Sequence, residues 1–235
     1  MSSPIKEEIS KTTEKFYFKL LTMENLTEVE NLIAKHFSPR TQLSNALKIP
    51  LSKAVLFHKY RVKLFLQQNV SIGAFEAKSR KLVGAVFGSI LRKGEKSPDH
   101  DDKNRIQDIF PISAPIRRLM ENLGVGNLFD LIKAEKIFLS SMLTVDIEYS
   151  NAGLGNRLHM KANKLARSLE CDCIVGIPSS SYAHKISKRN GDIIVRSIDL
   201  RHYIDQVTGD NPFKNVKPPH HLISITYSRL VKPSL

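Results

Sequence analysis

The most constraining part of the sequence is the segment from residue 136 to residue 178. An apolar run, KIFLSSMLTV (136–145), predicts a strand, and CDCIVGIP (171–178) predicts another. Between them, residues 153–170 place leucines and alanines on one stripe of a helix. Two glycines, Gly153 and Gly155, open this helix although glycine is a poor helix former, so the turn must require them.

A helix that begins in this way is suited to bind a phosphate group. The first amides of a helix have no acceptor within it, the helix dipole adds partial positive charge, and glycines leave those amides accessible. The sequence lacks G-x-x-x-x-G-K-S/T, and its G-x-G has neither the third glycine nor the later acidic residue of a dinucleotide-binding fold. The residues alone leave a phosphate site and a purely structural turn both open.

The remaining pattern alternates strands and helices. Strands are predicted at 16–21, 70–77, 81–92, 192–204 and 221–231, and helices at 23–37, 51–69, 115–135 (broken near its glycines) and 179–190. Residues 93–108 are charged without periodicity, which predicts a surface loop. We therefore expect a flexible tail over 1–14 and a single α/β domain over 15–235.

Charge and composition narrow the classes of function. The chain has 36 Lys and Arg against 23 Asp and Glu, a net charge of +13 that attracts polyanions. It has no aromatic-rich strand motif and no continuous basic helix, so a nucleic-acid-binding module is a remote alternative. No apolar run approaches the length of a membrane span and no signal peptide is visible, so we expect a soluble cytoplasmic protein without a membrane partner.

Cys171 and Cys173 do not have the spacing of a metal site, and a strand would place both on one face. No metal is expected.

The segment MLTVDIEYSNAGLGNRLHMKANKLARSLECDCI resembles the central motif of the Gcn5-related N-acetyltransferases, L-x-V-x-P-x-Y-R-G-x-G-I/L-G/A-x-x-L. The positions in register are Leu143, Val145, Glu148, Tyr149, Gly153, Leu154, Gly155 and Leu158. The order of elements is most similar to the invertebrate arylalkylamine (dopamine-type) branch, in which HFSPRTQL (36–43) corresponds to H-F-x-x-D/E-E-P-L. The resemblance implies an α/β (α+β) fold: a mixed, largely antiparallel sheet split by a V-shaped opening, with helices on both faces.

The resemblance also implies acetyl-CoA as the acetyl donor, lying between strands 137–146 and 171–178. The amides of Leu143 and Val145 would bond the pantetheine arm, and those from Asn151 to Asn156 the pyrophosphate. The cofactor-binding residues expected on this basis are Leu143, Thr144, Val145, Ser150, Asn151, Ala152, Gly153, Leu154, Gly155 and Asn156. Ser150 departs from the family, which has Gln or Arg there, and this change removes a cation beside the phosphates.

The base that takes the ammonium proton is not where the resemblance places it. The family's glutamate in the H-F-x-x-D/E-E-P-L segment aligns with Thr41, and threonine does not titrate near neutrality. His36 titrates in a suitable range, and Glu148 lies beside the cofactor loop. A structural histidine and a solvated loop carboxylate are the alternatives for these two residues.

The proton donor to the leaving thiolate is also open. Ser179 and Ser180 match the region where the dopamine-type enzymes use serines, and a helix N-cap is the alternative for both. Many family members use a tyrosine at the position of Ser187, and Asp192 stands where the family has an aromatic residue.

These residues predict an acetyl-CoA-dependent N-acetyltransferase acting on a small primary amine, an arylalkylamine or a polyamine. A protein or peptide N-acetyltransferase is the alternative within the same class. A weak enzyme, or a homologue that only binds acetyl-CoA, is the other alternative because of Thr41. We expect a monomer.

Overall fold

The computed structural model describes residues 15–95 and 114–230, so the predicted tail and most of the predicted loop at 93–108 lie outside the described residues. The strands are β1 (Phe16–Leu21), β2 (Ser71–Glu76), β3 (Leu82–Arg92), β4 (Lys136–Val145), β5 (Cys173–Gly176), β6 (Ile193–Asp199) and β7 (Leu222–Arg229). The helices are α1 (Leu26–Leu32), α2 (Gln42–Ala46), α3 (Leu51–Gln67), α4 (Ala114–Leu123), α5 (Leu128–Ile132), α6 (Leu154–Ser168) and α7 (Ser181–Arg189).

The strands form one mixed sheet in the order β1-β2-β3-β4-β5-β7-β6. Neighbouring strands are antiparallel except for β4 and β5, which are the parallel pair among the described strands. A parallel pair needs a crossover, and α6 provides it between β4 and β5. The predicted mixed, largely antiparallel sheet is confirmed.

The parallel pair is short, and this opens the sheet. β4 and β5 are paired only from Ile137 opposite Cys173 to Ser140 opposite Gly176. β4 continues to Val145 beside β3. A bulge leaves Ser141 as an extra residue there, because Phe87 pairs with Met142 while Gly88 pairs with Ser140. Beyond this bulge the two strands part, as the V-shaped opening requires.

Helices cover both faces of the sheet. Alternate side chains of a strand point to opposite faces, so one strand packs against helices on both. On β3, Val86 packs in the cluster of apolar residues that includes α6. Its neighbours Ala85 and Phe87 pack in the cluster that includes α1 and α3. On β5, Cys173 and Val175 pack with α4, α5 and the segment after β6 in a third cluster. The prediction of helices on both faces is confirmed.

Two local expectations were wrong. The predicted helix over 23–37 consists of a 3-10 turn, then α1, then a π turn over Ile33–Phe37. A π turn adds a residue to the helical turn, which changes the direction of the side chains that follow. Cys171 and Cys173 do not share a face: Cys171 precedes β5 and packs beside α6, whereas Cys173 packs on the other side. Both thiols are free and buried.

Among the described residues, no helix combines the length and the apolar character that a membrane crossing requires.

Candidate functional site

The opening between β4 and β5 forms a cleft of about 140 Å³. It is bounded by the parted ends of the two strands, by α6 and α7, and by Phe37 at the end of the π turn. The residues that line it are Phe37, Ser140, Ser141, Met142, Leu143, His159, Ile174, Gly176, Ile177, Pro178, Ser179, Ser180, Ala183, Ile186, Ser187 and Asp192. The cleft is mostly apolar, with polar groups on α6, on α7 and after β5.

Along the edge of β4 that faces the cleft, the residues beyond Ser140 are not paired with β5. Thr144 is paired with Ala85 of β3, and the N–H of Asp146 donates to the Val83 carbonyl, so these two residues point away from the opening. The N–H and C=O of one strand residue point to the same edge, so Leu143 and Val145 direct theirs into the opening. Thr144, which was expected at the cofactor site, therefore turns its backbone to β3.

An arginine side chain contacts this edge of β4. Arg40 follows the π turn, and its Nη2 donates to the Val145 carbonyl at 2.7 Å. Its Nε donates to the carbonyl of His36. The guanidinium thus already occupies one acceptor of the open strand edge.

The glycine turn presents the start of α6. Gly153 is the N-cap, has a left-handed φ of +70° and provides no side-chain cap. The amides of Leu154, Gly155 and Asn156 form the first turn and have no acceptor within the helix. These are amides at which the sequence predicts a phosphate site.

Two amides that precede the helix start already have acceptors. Ser150 donates its N–H to the Ile147 carbonyl at 3.2 Å, and Ala152 donates to the Tyr149 carbonyl at 3.1 Å. Of the amides expected to bind the pyrophosphate, that of Ala152 is thus already hydrogen-bonded to the chain, whereas those of the first turn of α6 have no acceptor within the helix.

The two glycines serve different purposes. A Cβ at Gly153 would meet nothing within 4 Å, so the left-handed backbone and the open space in front of it are what glycine supplies. A Cβ at Gly155 would lie 2.9 Å from Ile186 Cδ1, so its absence allows α6 and α7 to pack closely.

His36 lies beside a buried carboxylate at the end of β4. Its Nδ1 accepts from the Ile147 N–H at 3.3 Å, and its Nε2 is 3.5 Å from Asp146 Oδ2. Burial is the main cause that lowers the pKa of His36; Asp146 acts in the opposite direction, and the positive charges of Arg40 and Lys81 add to the lowering. His36 does not line the cleft.

Asp146 is anchored by a lysine. Lys81 Nζ donates to its Oδ2 at 2.8 Å. Burial alone would raise the pKa of Asp146, but hydrogen bonds from Lys81 and the Glu148 amide hold it below its usual value. The Glu148 side chain is 73% exposed and lies 4.0 Å from Lys81. This environment is that of a solvated loop carboxylate, and Glu148 is not in the cleft wall.

The Thr41 side chain is hydrogen-bonded within its own turn. Its hydroxyl donates to the Ser38 carbonyl at 2.6 Å, and Thr41 does not line the cleft. Ser179 and Ser180 do line it. The Ser180 hydroxyl accepts from the Ala183 N–H at 3.2 Å and caps α7, so this serine combines the helix-capping position with access to the cleft.

Sequence reasoning gave no role to the two ionisable residues of the cleft, His159 and Asp192. His159 lies on α6, Asp192 follows α7, and their side chains are 3.5 Å apart. Burial alone would raise the pKa of Asp192, but the neighbouring His159 and the side chains of Ser228 and Ser187 hold it below its usual value. The signal in the sequence was a histidine on the buried stripe of α6, directly after Leu158. No group of three or more possible metal ligands occurs among the described residues.

No model of a known protein family matches the chain, and no curated protein sequence matches it. Solved structures do. Arylalkylamine N-acetyltransferase 2 from Aedes aegypti superimposes with a TM-score of 0.81 at 21% identity, over 93% of this chain and 100% of that one. This chain has the Gcn5-related N-acetyltransferase fold.

Two other acetyltransferases of this fold extend the comparison. The Drosophila melanogaster polyamine N-acetyltransferase, which catalyses the formation of N-acetylagmatine, has a TM-score of 0.76 at 16% identity, over 92% of this chain and 100% of that one. NAA60 from Arabidopsis thaliana, solved with a bisubstrate analogue, has a TM-score of 0.53 at 15% identity, over 92% of this chain and 99% of that one. The acetyltransferase fold therefore covers nearly the whole chain, and identities this low show the fold alone.

Proposed function

We propose that this protein is an acetyl-CoA-dependent N-acetyltransferase that acts on a small primary amine. The observation that carries the proposal is the parting of β4 and β5 beyond Ser140, which opens a cleft beside free strand positions of β4. The start of α6, which follows β4 along the chain and has no side-chain cap, would bind an anion. The amine acetyltransferases among the structural neighbours support the acceptor class.

The residues present fit acetyl-CoA. Leu143 and Val145 would pair with the pantetheine arm as a further strand would, and the amides of Leu154, Gly155 and Asn156 would bind the diphosphate. Bound there, acetyl-CoA supplies a thioester whose carbonyl carbon accepts the amine. Arg40 has to leave the Val145 carbonyl if the arm is to use that acceptor.

The chain's own residues would position the amine and polarise the thioester carbonyl. The amide of Leu143 would polarise the thioester carbonyl, and the cleft would hold the amine beside it, which removes much of the entropic barrier of a bimolecular step. A carboxylate base is missing at position 41, and general base catalysis contributes about 10²–10⁴-fold. We therefore propose slow transfer to typical arylalkylamines, with the amine deprotonated by solvent.

Thermal melting with acetyl-CoA tests the binding step. A ligand at a hundred times its Kd stabilises the native state by about 2.7 kcal/mol. Desulfo-CoA, which keeps the diphosphate and the arm, should stabilise it as well. An unchanged Tm at millimolar acetyl-CoA would reject the proposal.

An acceptor panel tests the transfer step. Arylalkylamines, polyamines and peptides with free amino termini are each incubated with acetyl-CoA, and thiol release is followed. We expect release with small amines. Release with peptides alone would assign the protein to peptide acetylation, and release with none would leave a protein that binds acetyl-CoA without transferring it.

A further inference from the structure

Two titratable side chains face the cleft from inside the protein. Among the described residues that line it, His159 and Asp192 are the two with ionisable side chains. The bases expected from sequence, His36 and Glu148, lie outside the lining.

The pair is buried and is held from several sides. His159 is 8% exposed, and its Nε2 lies 3.5 Å from Asp192 Oδ2. Ser228 on β7 donates to the other carboxylate oxygen of Asp192 at 2.6 Å. The N–H of Asp192 donates to the Ser187 carbonyl on α7. The carboxylate is thus fixed by β7 and by α7 while the imidazole faces it from α6.

The imidazole itself is incompletely satisfied. Its Nε2 is buried and has no hydrogen-bond partner among the described residues, because 3.5 Å to Asp192 is too long for a well-formed bond. Buried polar atoms are nearly always hydrogen-bonded, so an exception calls for a reason. A histidine beside a buried carboxylate in the wall of a reaction cleft is the usual arrangement for moving a proton.

We propose that His159, oriented by Asp192, is the proton donor to the thiolate that leaves during acetyl transfer. This inference rests on the proposed function. The amine nitrogen forms a bond to the thioester carbon, and the bond from that carbon to sulfur breaks. The nitrogen releases its proton to solvent, and the sulfur takes a proton from the His159 imidazolium, which regains one from solvent. One amide and one thiol result, and the charges balance.

The primary test compares His159→Gln with a matched control. His202 also lies 3.5 Å from a carboxylate, that of Asp199, but its side chain is 79% exposed and it does not line the cleft. We expect His159→Gln to lower kcat by about 10²-fold or more, the usual contribution of a general acid. His202→Gln should retain the wild-type kcat. The acetyl-CoA-induced shift in Tm should be the same in both variants and in the wild type.

A series of acceptors that differ in basicity separates the proton donor from a base. Because His159 acts on sulfur, its replacement should lower kcat by the same factor for weakly and strongly basic amines. A loss that disappears with weakly basic amines would show that His159 deprotonates the acceptor, and would overturn the assignment.

Two further results would overturn it. One is an unimpaired kcat in His159→Gln. The other is a loss of the acetyl-CoA-induced Tm shift that accounts for the fall in rate, which would make His159 a residue that only shapes the pocket. Should His159→Gln fail to fold, Asp192→Asn, which is nearly isosteric, gives the same comparison with a smaller expected loss. A wild type that transfers no acetyl group would refute the proposed function itself, whereas an active wild type with an active His159→Gln would refute this inference alone.

Discussion

Replacing Gly153 by glutamate is expected to remove acetyl-CoA binding, and the structure supplies its own control. Gly153 has φ +70° and Gly209 has φ +73°, and a Cβ at either position would meet nothing within 4 Å. Glutamate at either site thus forces a non-glycine residue into the left-handed region, which costs about 1–2 kcal/mol. For a chain of this size that lowers Tm by about 2–8 °C. Gly153→Glu alone adds a negative charge at the start of α6.

The assay is thermal melting of wild type, Gly153→Glu and Gly209→Glu with and without acetyl-CoA. At a hundred times Kd, the wild type and Gly209→Glu should gain about 5–11 °C in Tm. Gly153→Glu should gain nothing. If Gly153→Glu gained as much as Gly209→Glu, the start of α6 would not be the diphosphate site, and the reasoning from the glycine turn would be refuted.

Three further predictions follow from side chains near the cleft. Thr41→Val removes the hydroxyl that donates to the Ser38 carbonyl, so denaturant unfolding should show a loss of about 1 kcal/mol with an unchanged kcat. Ser180→Ala removes the cap of α7 and should cost about 1 kcal/mol, whereas Ser180→Asp keeps a capping acceptor and should recover most of that stability. The folded-state pKa of Asp146 is lowered, so this carboxylate stabilises the fold above its unfolded pKa of about 4, and that contribution is lost as pH falls through the folded pKa. Urea unfolding between about pH 6 and about pH 3 should therefore show a smaller loss of stability for Asp146→Asn than for the wild type.

The order of elements and the glycine turn could be predicted from sequence because their signals are local. The stripe of leucines and alanines on α6, the apolar run of β4 and the two glycines between them act within a few turns of chain. The π turn after α1 could not be predicted in this way. It keeps the helical spacing of apolar residues to within one position and is stabilised by packing of Ile33 and Phe37 against other elements.

The candidate catalytic groups could be predicted only in part. Ser179 and Ser180 lie directly after β5, so their place at the cleft follows from the position of that strand. The meeting of His159 with Asp192 depends on how α6 and α7 pack, and the two residues are far apart in the chain. The spacing of residues along the sequence does not reveal the distance between these two side chains. At position 41, where the resemblance places the family's glutamate, the fold directs the threonine hydroxyl to the Ser38 carbonyl, a contact that the sequence did not predict.

The short pairing of β4 with β5 has a consequence for how the molecules behave toward one another. It leaves an unpaired strand edge in the middle of the sheet, and such edges invite pairing with another chain and aggregation. Here the edge is only the few residues from the Ser141 bulge to Val145, and residues of α7 and Phe37 line the same cleft. Arg40 already holds the carbonyl of its last residue. A strand from a second molecule would have to displace Arg40 before it could pair with that carbonyl, so this edge is a poor template for strand addition.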